Sequence, residues 1–261
     1  MKGYSNRWKD FPDFILGITH EIWEGRGIGP RLEDYYHPQV IVRMPGGISQ
    51  GEPATRAATM ATLHEFPDRV LLGEDVIWSG TPEAGMLSSH RILSEATHAR
   101  DGMFGPATHE RLRYRIIADC YARDNQISDE WLIRDNGAIV RQMGYDPSDW
   151  ARARAETARP FRPEIDVPGP YTGRGNDNQW GEIYAGFLRR MMAADFAVIP
   201  EQYDRACHLE YPGGVTAHGH GAVDAFWLGL RASFPSARFD VHHQVGMEEP
   251  LLPPRASVRW S

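Results

Sequence analysis

The sequence predicts an α+β protein made of two tandem copies of one domain, the second incomplete at its C-terminal end. Two observations predict this fold class. Within each copy, apolar residues recur first at helical spacing and later at alternating spacing, which is typical of helices packed on a mostly antiparallel sheet. Several short stretches also recur at a nearly constant distance along the chain.

The repeat rests on two pairs of matching segments. Residues 35–48 read YYHPQVIVRMPGGI and residues 202–215 read QYDRACHLEYPGGV, an offset of 202 − 35 = 167. Residues 65–76, EFPDRVLLGEDV, match residues 233–244, SFPSARFDVHHQ, at an offset of 233 − 65 = 168. The alternative is that common turn chemistry recurs at Pro-Gly sites. The nearly constant offset favours the repeat.

The first copy, residues 1–145, is predicted to place three helices on one face of a strongly curved sheet. The predicted elements are a helix over 13–24, a short helix over 30–36, a strand over 39–44, a helix over 52–65 and strands near 69–78, 86–97, 111–121 and 126–135. Gly25 and Gly27 end the first helix, and Pro53 begins the third.

The remaining chain is predicted to be a linker followed by the second copy. Residues 146–178 are rich in proline and glycine and show no sustained apolar period. Residues 179–261 repeat the early helices and strands and stop before the last three strands of the first copy have full counterparts. A sheet cut off there would leave an open edge. We therefore expect a shortened form of a longer protein, or completion of the sheet by another subunit in a homodimer.

Composition excludes some function classes. The chain has 261 residues, 41% of them hydrophobic, and a formal net charge of −7 without a dense Lys/Arg cluster, so nucleic acid is not expected as a partner. No apolar signal-peptide core and no run of 18 apolar residues occur, which predicts a cytoplasmic protein with no membrane partner. Cys120 and Cys207 are too few for a disulfide scaffold.

The segments YYHPQVIVRMPGG, MLSSHRI, THARDGMFGPATHERLRYRIIADC and QISDEWLIRD, with the opening helix around Trp23, resemble the nuclear-transport-factor-2-like superfamily. Within it they resemble the SnoaL-like, polyketide cyclase-like branch. The resemblance implies tandem cone-shaped domains, each enclosing a mostly apolar cavity for a small molecule. It covers the first copy almost fully and the second in part. The fold hosts several chemistries, so function must come from the site.

Asp135 is the leading catalytic candidate. Alternation along the last strand of the first copy places Ile127, Trp131, Ile133 and Asp135 on one face, which we expect to be the core face. An aspartate carried into an apolar cavity has a raised pKa and becomes a better proton acceptor near neutrality. The resemblance implies the same role, since SnoaL-like cyclases carry their acid–base aspartate in a similar tryptophan-x3-aspartate strand. A capping or salt-bridged aspartate is the alternative.

Two further catalytic candidates lie on neighbouring strands. His90 shares an otherwise largely apolar face with Ser88, and it is expected either to orient a substrate carbonyl or to be a buried, satisfied histidine. Simple alternation turns Asp119 away from the core, although a β-bulge would reverse this. The resemblance implies a polar pocket residue near Asp119.

The expected substrate-binding residues are Trp23, Tyr36, Phe66, Ser88 and Trp131, with core packing as the alternative for the aromatic ones. The histidines of the second copy lack a recognisable set of partner ligands, so no metal is expected. No cofactor motif occurs either, because the glycine-rich stretch at 25–29 follows a helix rather than a strand.

These observations predict a cofactor-free cyclase or isomerase. Asp135 would remove a proton next to the carbonyl of a small, apolar, carbonyl-containing molecule, and His90 or a tyrosine would stabilise the enolate oxygen. The competing hypothesis is a non-catalytic ligand-binding or dimerisation module, because the second copy has no equivalent of Asp135.

Overall fold

The computed structural model of the protein describes residues 1–158 and 168–261. The chain divides into two compact units, residues 1–76 with 80–172 and residues 77–79 with 173–261. The middle of the predicted linker, residues 159–167, lies outside the described residues.

The predicted α+β class is confirmed, with helices on a curved, mostly antiparallel sheet. Up to residue 158 the helices are α1 (Phe11–Thr19), which continues into a π-helical turn (His20–Glu24), α2 (Pro30–Tyr35), α3 (Glu52–Glu65), α4 (Asn136–Gln142) and α5 (Pro147–Thr157). The strands are β1 (Tyr36–Met44), β2 (Gly47–Gln50), β3 (Val70–Thr81), β4 (Gly85–Thr97), β5 (Arg111–Arg123) and β6 (Gln126–Arg134).

These strands form one sheet in the order β2-β1-β6-β5-β4-β3. The pairs β1/β2, β4/β5 and β5/β6 are antiparallel, whereas β1 and β6 are parallel. Strand β1 therefore lies beside the last strand of the sheet in sequence, and residues far apart along the chain meet on one face.

A β-bulge at Ser128 sets the orientation of every later residue in β6. Ile127 pairs with Ala122, but the next pair joins Asp129 to Tyr121, so Ser128 is an extra residue in β6. Such an extra residue shifts the alternation of side chains by one position. Ile127 and Glu130 therefore lie on the same face, which simple alternation does not predict.

Up to residue 158, three of the described helices and strands were not predicted from the sequence: the short strand β2 and the helices α4 and α5. Helix α5 lies inside the segment predicted to be linker. Its start follows from local chemistry, because Asp146 accepts hydrogen bonds from the backbone N–H groups of Ser148 and Asp149, and Pro147 is the first helical residue. These short-range signals were outweighed in the prediction by the absence of an apolar period.

A buried carboxylate holds the loop between β4 and β5. Glu65, at the end of α3, accepts hydrogen bonds of 3.0 and 2.9 Å from the backbone N–H groups of Met103 and Phe104. Its Oε1 lies 3.2 Å from Nε2 of His98. The backbone N–H of Thr108 donates to Nδ1 of His98, so Nε2 carries the proton and donates to Glu65. This network fixes the glycine-containing loop by polar contacts.

The second unit has its own helices and strands: α6 (Gln179–Met192), a 3₁₀ turn (Phe196–Val198), α7 (Ile199–Gln202), β7 (His208–Tyr211), β8 (Val215–His218), α8 (Gly219–Ser233), β9 (Val241–Met247) and β10 (Arg255–Trp260). Strands β7/β8 and β9/β10 form two separate antiparallel pairs. Phe187, Met191 and Trp227 belong to its buried core. The order of elements from α6 to β9 parallels that from α1 to β3, while the tandem repeat stays a prediction.

Among the described residues, no helix is both long and apolar enough to span a lipid bilayer.

Candidate functional site

The first unit contains a largely apolar cavity of about 110 Å³ between its helices and one face of its sheet. Its walls come from α1 and the π-helical turn, from α3, and from strands β1 to β6. The side chains that line it include those of Trp23, Tyr36, Arg69, His90, Ile92, Ile116, Ala118, Cys120, Glu130, Leu132 and Arg134. A concave apolar site with a few polar groups is the usual form of a small-molecule site.

Glu130 is the buried acid of this cavity. It is 7% exposed, and its Oε2 accepts a hydrogen bond of 3.0 Å from the hydroxyl of Tyr36. Burial raises the pKa of Glu130 to about 7, although the hydrogen bond from Tyr36 lowers it in part. Burial also raises the pKa of Tyr36 well above its ordinary value, so Tyr36 remains the donor. Glu130 can therefore accept and return a proton near neutral pH.

His90 lines the cavity from β4 and is 2% exposed. Burial lowers its pKa to about 4, although the charge of Asp75 acts in the opposite direction, so the imidazole is neutral at pH 7. Nε2 has no hydrogen-bond partner in the described part of the chain. A neutral ring with a free nitrogen can make a hydrogen bond to a ligand without adding charge.

The other polar end of the cavity carries Arg69 and Arg134. Arg134 pairs with Ile116 across the β5/β6 ladder, whereas Glu130 pairs with Cys120. Arg134 and Glu130 thus occupy opposite ends of one row of inward-facing β6 residues, and Leu132 lies between them. The cavity therefore has a carboxyl group at one end, a pair of guanidinium groups at the other, and apolar side chains between them.

Asp135 does not line the cavity, so the prediction that it lies on the core face is wrong. It follows β6 and caps α4, where its carboxylate accepts a hydrogen bond of 2.9 Å from the backbone N–H of Ala138. The bulge at Ser128 is the physical reason, because it turns Trp131 and Ile133 outward and Glu130, Leu132 and Arg134 inward. Asp135 therefore has the capping role that was its alternative.

The opposite face of the sheet holds Asp119 and Trp131, which form a cross-strand pair. Asp119 is buried on this face, as simple alternation indicated, because the bulge lies in β6 and not in β5. The Trp131 ring lies 6.3 Å from that of Tyr171 and beneath the guanidinium of Arg43, 4.8 Å away. Neither candidate lines the cavity.

The remaining candidates divide between the cavity and the core. Trp23 and Tyr36 both line the cavity, with ring centroids 6.1 Å apart. Ser88 is fully buried with its hydroxyl 3.5 Å from the carbonyl oxygen of Cys120, and it does not line the cavity. Phe66 is buried against His98 and Phe104, with ring centroids 5.5 and 5.8 Å away.

The three charged residues in the described lining of the cavity were not singled out from the sequence: Arg69, Glu130 and Arg134. The alternation that puts the apolar residues Ile127, Trp131 and Ile133 on the expected core face puts Glu130 and Arg134 on the opposite face. The outward face is apolar for another reason, since Tyr171 packs against Trp131 there. Period-two spacing could not have identified Glu130 and Arg134, because both faces of a strand show it and a bulge exchanges the faces.

Comparisons with known proteins concern the fold alone. IdmH from Streptomyces antibioticus, described as a "putative polyketide cyclase", is 22% identical, with 51% of this chain and 97% of that chain covered and a TM-score of 0.44. A SnoaL-like polyketide cyclase from Agrobacterium tumefaciens is 19% identical, with 51% and 97% covered and a TM-score of 0.42. The neighbours include SnoaL-like polyketide cyclases. At these identities and TM-scores the likeness carries no argument about activity. No family model and no curated protein matches the chain.

Proposed function

We propose that the first unit binds a small, largely apolar, carbonyl-containing molecule and catalyses proton transfer on it without a cofactor. Glu130, rather than Asp135, is the general base. The observation that supports this is the one carboxyl group on the described cavity wall, which is buried and has a pKa of about 7. One of its two oxygens, Oε2, accepts a hydrogen bond from Tyr36. When the pKa of a base lies near the working pH, a large fraction of the base is ionised and it still binds the transferred proton strongly enough to drive the reaction.

The proposed reaction begins with Glu130 ionised. Its carboxylate takes a proton from the carbon next to the substrate carbonyl, and the electron pair of that C–H bond forms an enolate. The protonated Glu130 then returns the proton to another carbon, which completes an isomerisation. In a cyclisation, the enolate carbon attacks a second carbonyl carbon of the same molecule, and the new alkoxide takes the proton.

Tyr36 and His90 have supporting roles in this proposal. The hydroxyl of Tyr36 holds Oε2 of Glu130 in place, which leaves Oε1 to face the substrate. The neutral imidazole of His90 donates a hydrogen bond to the enolate oxygen from Nε2. Donors placed at a developing negative charge in an apolar site lower the barrier substantially. The apolar lining around Ile92 and Leu132 keeps water away from the enolate.

The test is hydrogen–deuterium exchange at the carbon next to a ketone, because it detects the proton-transfer step without knowledge of the full reaction. The protein is incubated in D₂O with cyclohexenone, acetophenone, 2-tetralone and phenylpyruvate, and ¹H NMR follows loss of the α-proton signal. We expect the protein to accelerate exchange of at least one compound. The variant Glu130→Gln should reduce that acceleration by a factor on the order of 10² to 10⁴.

Asp135→Asn is the matched control, because asparagine caps a helix about as well as aspartate. It should exchange as fast as the unaltered protein. Equal exchange by Glu130→Gln, or loss of exchange in Asp135→Asn alone, would contradict the role of Glu130. If no compound exchanges faster than in buffer, the acid–base function fails and the non-catalytic binding module is favoured.

A further inference from the structure

The side chains of Arg69 and Arg134 both line the cavity. The Nε atoms of both are buried and have no hydrogen-bond partner among the described residues. The hydroxyl of Tyr114, on the inward face of β5, is buried and also has no hydrogen-bond partner among the described residues. Buried polar groups in native proteins nearly always have partners, so an unpaired group of this kind calls for an explanation.

These three donors lie close together. Tyr114 and Arg134 both interact electrostatically with Arg69, whose pKa is lowered mainly by burial. Arg134 and Tyr114 lie on neighbouring strands, since Arg134 pairs with Ile116, two residues after Tyr114. A cluster of donors with no acceptor matches an anionic ligand, and a guanidinium fork matches the two oxygens of a carboxylate.

The local charge favours a monoanion. Arg69 and Arg134 contribute two positive charges, and Glu24, which acts on Arg69, contributes one negative charge. The Glu24 carboxylate also accepts the backbone N–H of Leu71 at 2.7 Å. The sum is one positive charge, 2 − 1 = +1, in a site with apolar walls. A carboxylate neutralises this charge, whereas a dianionic phosphate would leave an excess negative charge in a poorly solvated place.

We propose that Arg69, Arg134 and Tyr114 bind a carboxylate, so that the molecule bound in the cavity is a small apolar carboxylic acid. This rests on the proposed function in one respect: if Glu130 is the base, the substrate is an oxo acid whose reacting carbon lies away from its carboxylate. Glu130 and Arg134 are four residues apart on one strand, or ~13 Å between Cα atoms. Leu132 lies between them and contacts the apolar middle of the ligand.

The test compares acids with neutral molecules of the same shape. Binding of benzoate, phenylacetate and 3-phenylpropanoate, and of their primary amides, is measured by calorimetry at pH 7.5. We expect at least one acid to bind about tenfold more tightly than its amide or better. Arg69→Gln and Arg134→Gln should each reduce this preference to near one. Phenyl phosphate is included, and its tighter binding would overturn the carboxylate assignment.

Two further variants keep the result interpretable. Arg134→Lys retains the charge and loses the planar fork, so it serves if Arg134→Gln does not fold; it should keep part of the preference. Asp135→Asn should keep all of it, because Asp135 caps α4 and does not line the cavity. Equal binding of acids and amides by the unaltered protein overturns the inference, as does a preference that survives both arginine substitutions.

Failure of this inference and failure of the proposed function are distinguishable. A preference for acids without any exchange in D₂O would leave the carboxylate site in place and remove the catalytic role of Glu130. Exchange that depends on Glu130, with acids and amides bound equally, would support the catalytic role of Glu130 and remove the carboxylate site.

Discussion

Asp129 and Glu130 are neighbouring residues of one strand that lie on opposite faces of the sheet, and both are buried. Asp129 forms an ion pair with Arg43 and accepts the backbone N–H of Tyr171 at 3.3 Å. Glu130 accepts one hydrogen bond from the neutral hydroxyl of Tyr36, and its pKa rises to about 7. Two carboxyl groups with similar burial thus differ in the charge of their partners.

This difference separates a structural acid from an acid that can exchange protons. A buried carboxylate beside a guanidinium stays ionised, because the opposite charge replaces the lost solvation. A buried carboxyl group beside a neutral donor gains less, so protonation competes near neutrality. Burial alone therefore does not distinguish these two acids, whereas the charge of the hydrogen-bond partner does.

The largest expected effect comes from removing the charge partner on the outward face. Arg43→Met takes the guanidinium away from Asp129, which is fully buried. Breaking a buried ion pair from one side typically costs about 3 to 5 kcal/mol of unfolding free energy. Urea unfolding at pH 7 measures it.

The control for this prediction is Arg91→Met. Arg91 contacts Glu74 at 3.1 Å with its side chain 54% exposed, so its loss should cost no more than about 1 kcal/mol. An Arg43→Met protein as stable as Arg91→Met would show that Asp129 does not depend on its ion pair.

Glu130→Gln should have an effect of intermediate size and of opposite sign. Because the pKa of Glu130 is raised from 4.5 to about 7 on folding, its contribution to stability is fully present below pH 4.5 and is lost as pH rises through 7. Glutamine carries no such dependence. At pH 8 the variant should therefore be more stable by up to about 3 kcal/mol, and at pH 4.5 about equal.

Urea unfolding of both proteins from pH 4.5 to 8 measures this difference. His90 also titrates, with a pKa lowered to about 4, so only the difference between the two proteins reports on Glu130. A difference that stays constant with pH would contradict a raised pKa for Glu130.

The smallest effect is expected from Tyr36→Phe. The hydrogen bond from Tyr36 lowers the pKa of Glu130, so its removal should raise that pKa further above 7, by about one unit. NMR titration of ¹³C-labelled glutamate side chains would follow it. Tyr114→Phe, at the arginine end of the cavity, should leave the titration unchanged. A downward shift in Tyr36→Phe would show that the hydroxyl does not donate to Glu130.

The fold was predictable where long periodic segments dominate. Helix α3 begins and ends as the sequence predicts, over 52–65, and strands β4 and β5 fall within two residues of their predicted limits. Helix α4 was missed because it has only seven residues, and α5 because it buries none of its side chains. Both helices begin at a capping carboxylate, that of Asp135 or Asp146. Both capping residues are visible in the sequence, but Asp135 was interpreted as part of a strand and Asp146 as part of a linker.

The site was predictable only in part. Trp23, Tyr36 and His90 were expected near the ligand, and all three line the cavity. The acid was misplaced because one extra residue, Ser128, reverses the faces of β6. Alternation carries no information about a bulge, and the outward face looked like a core because Trp131 packs against Tyr171, a residue far away in the sequence.

The bulge at Ser128 also bears on how this strand is aligned with others. A gapless alignment anchored on Ile127 would equate Asp135 and Trp131 with inward residues of an unbulged strand, whereas one anchored on Leu132 would equate Glu130 and Arg134 with them. The two alignments differ by a single gap yet transfer functional labels to opposite sides of the sheet. Comparison of this chain with a relative whose strand has no bulge therefore needs a one-residue insertion at Ser128 before residue roles are exchanged.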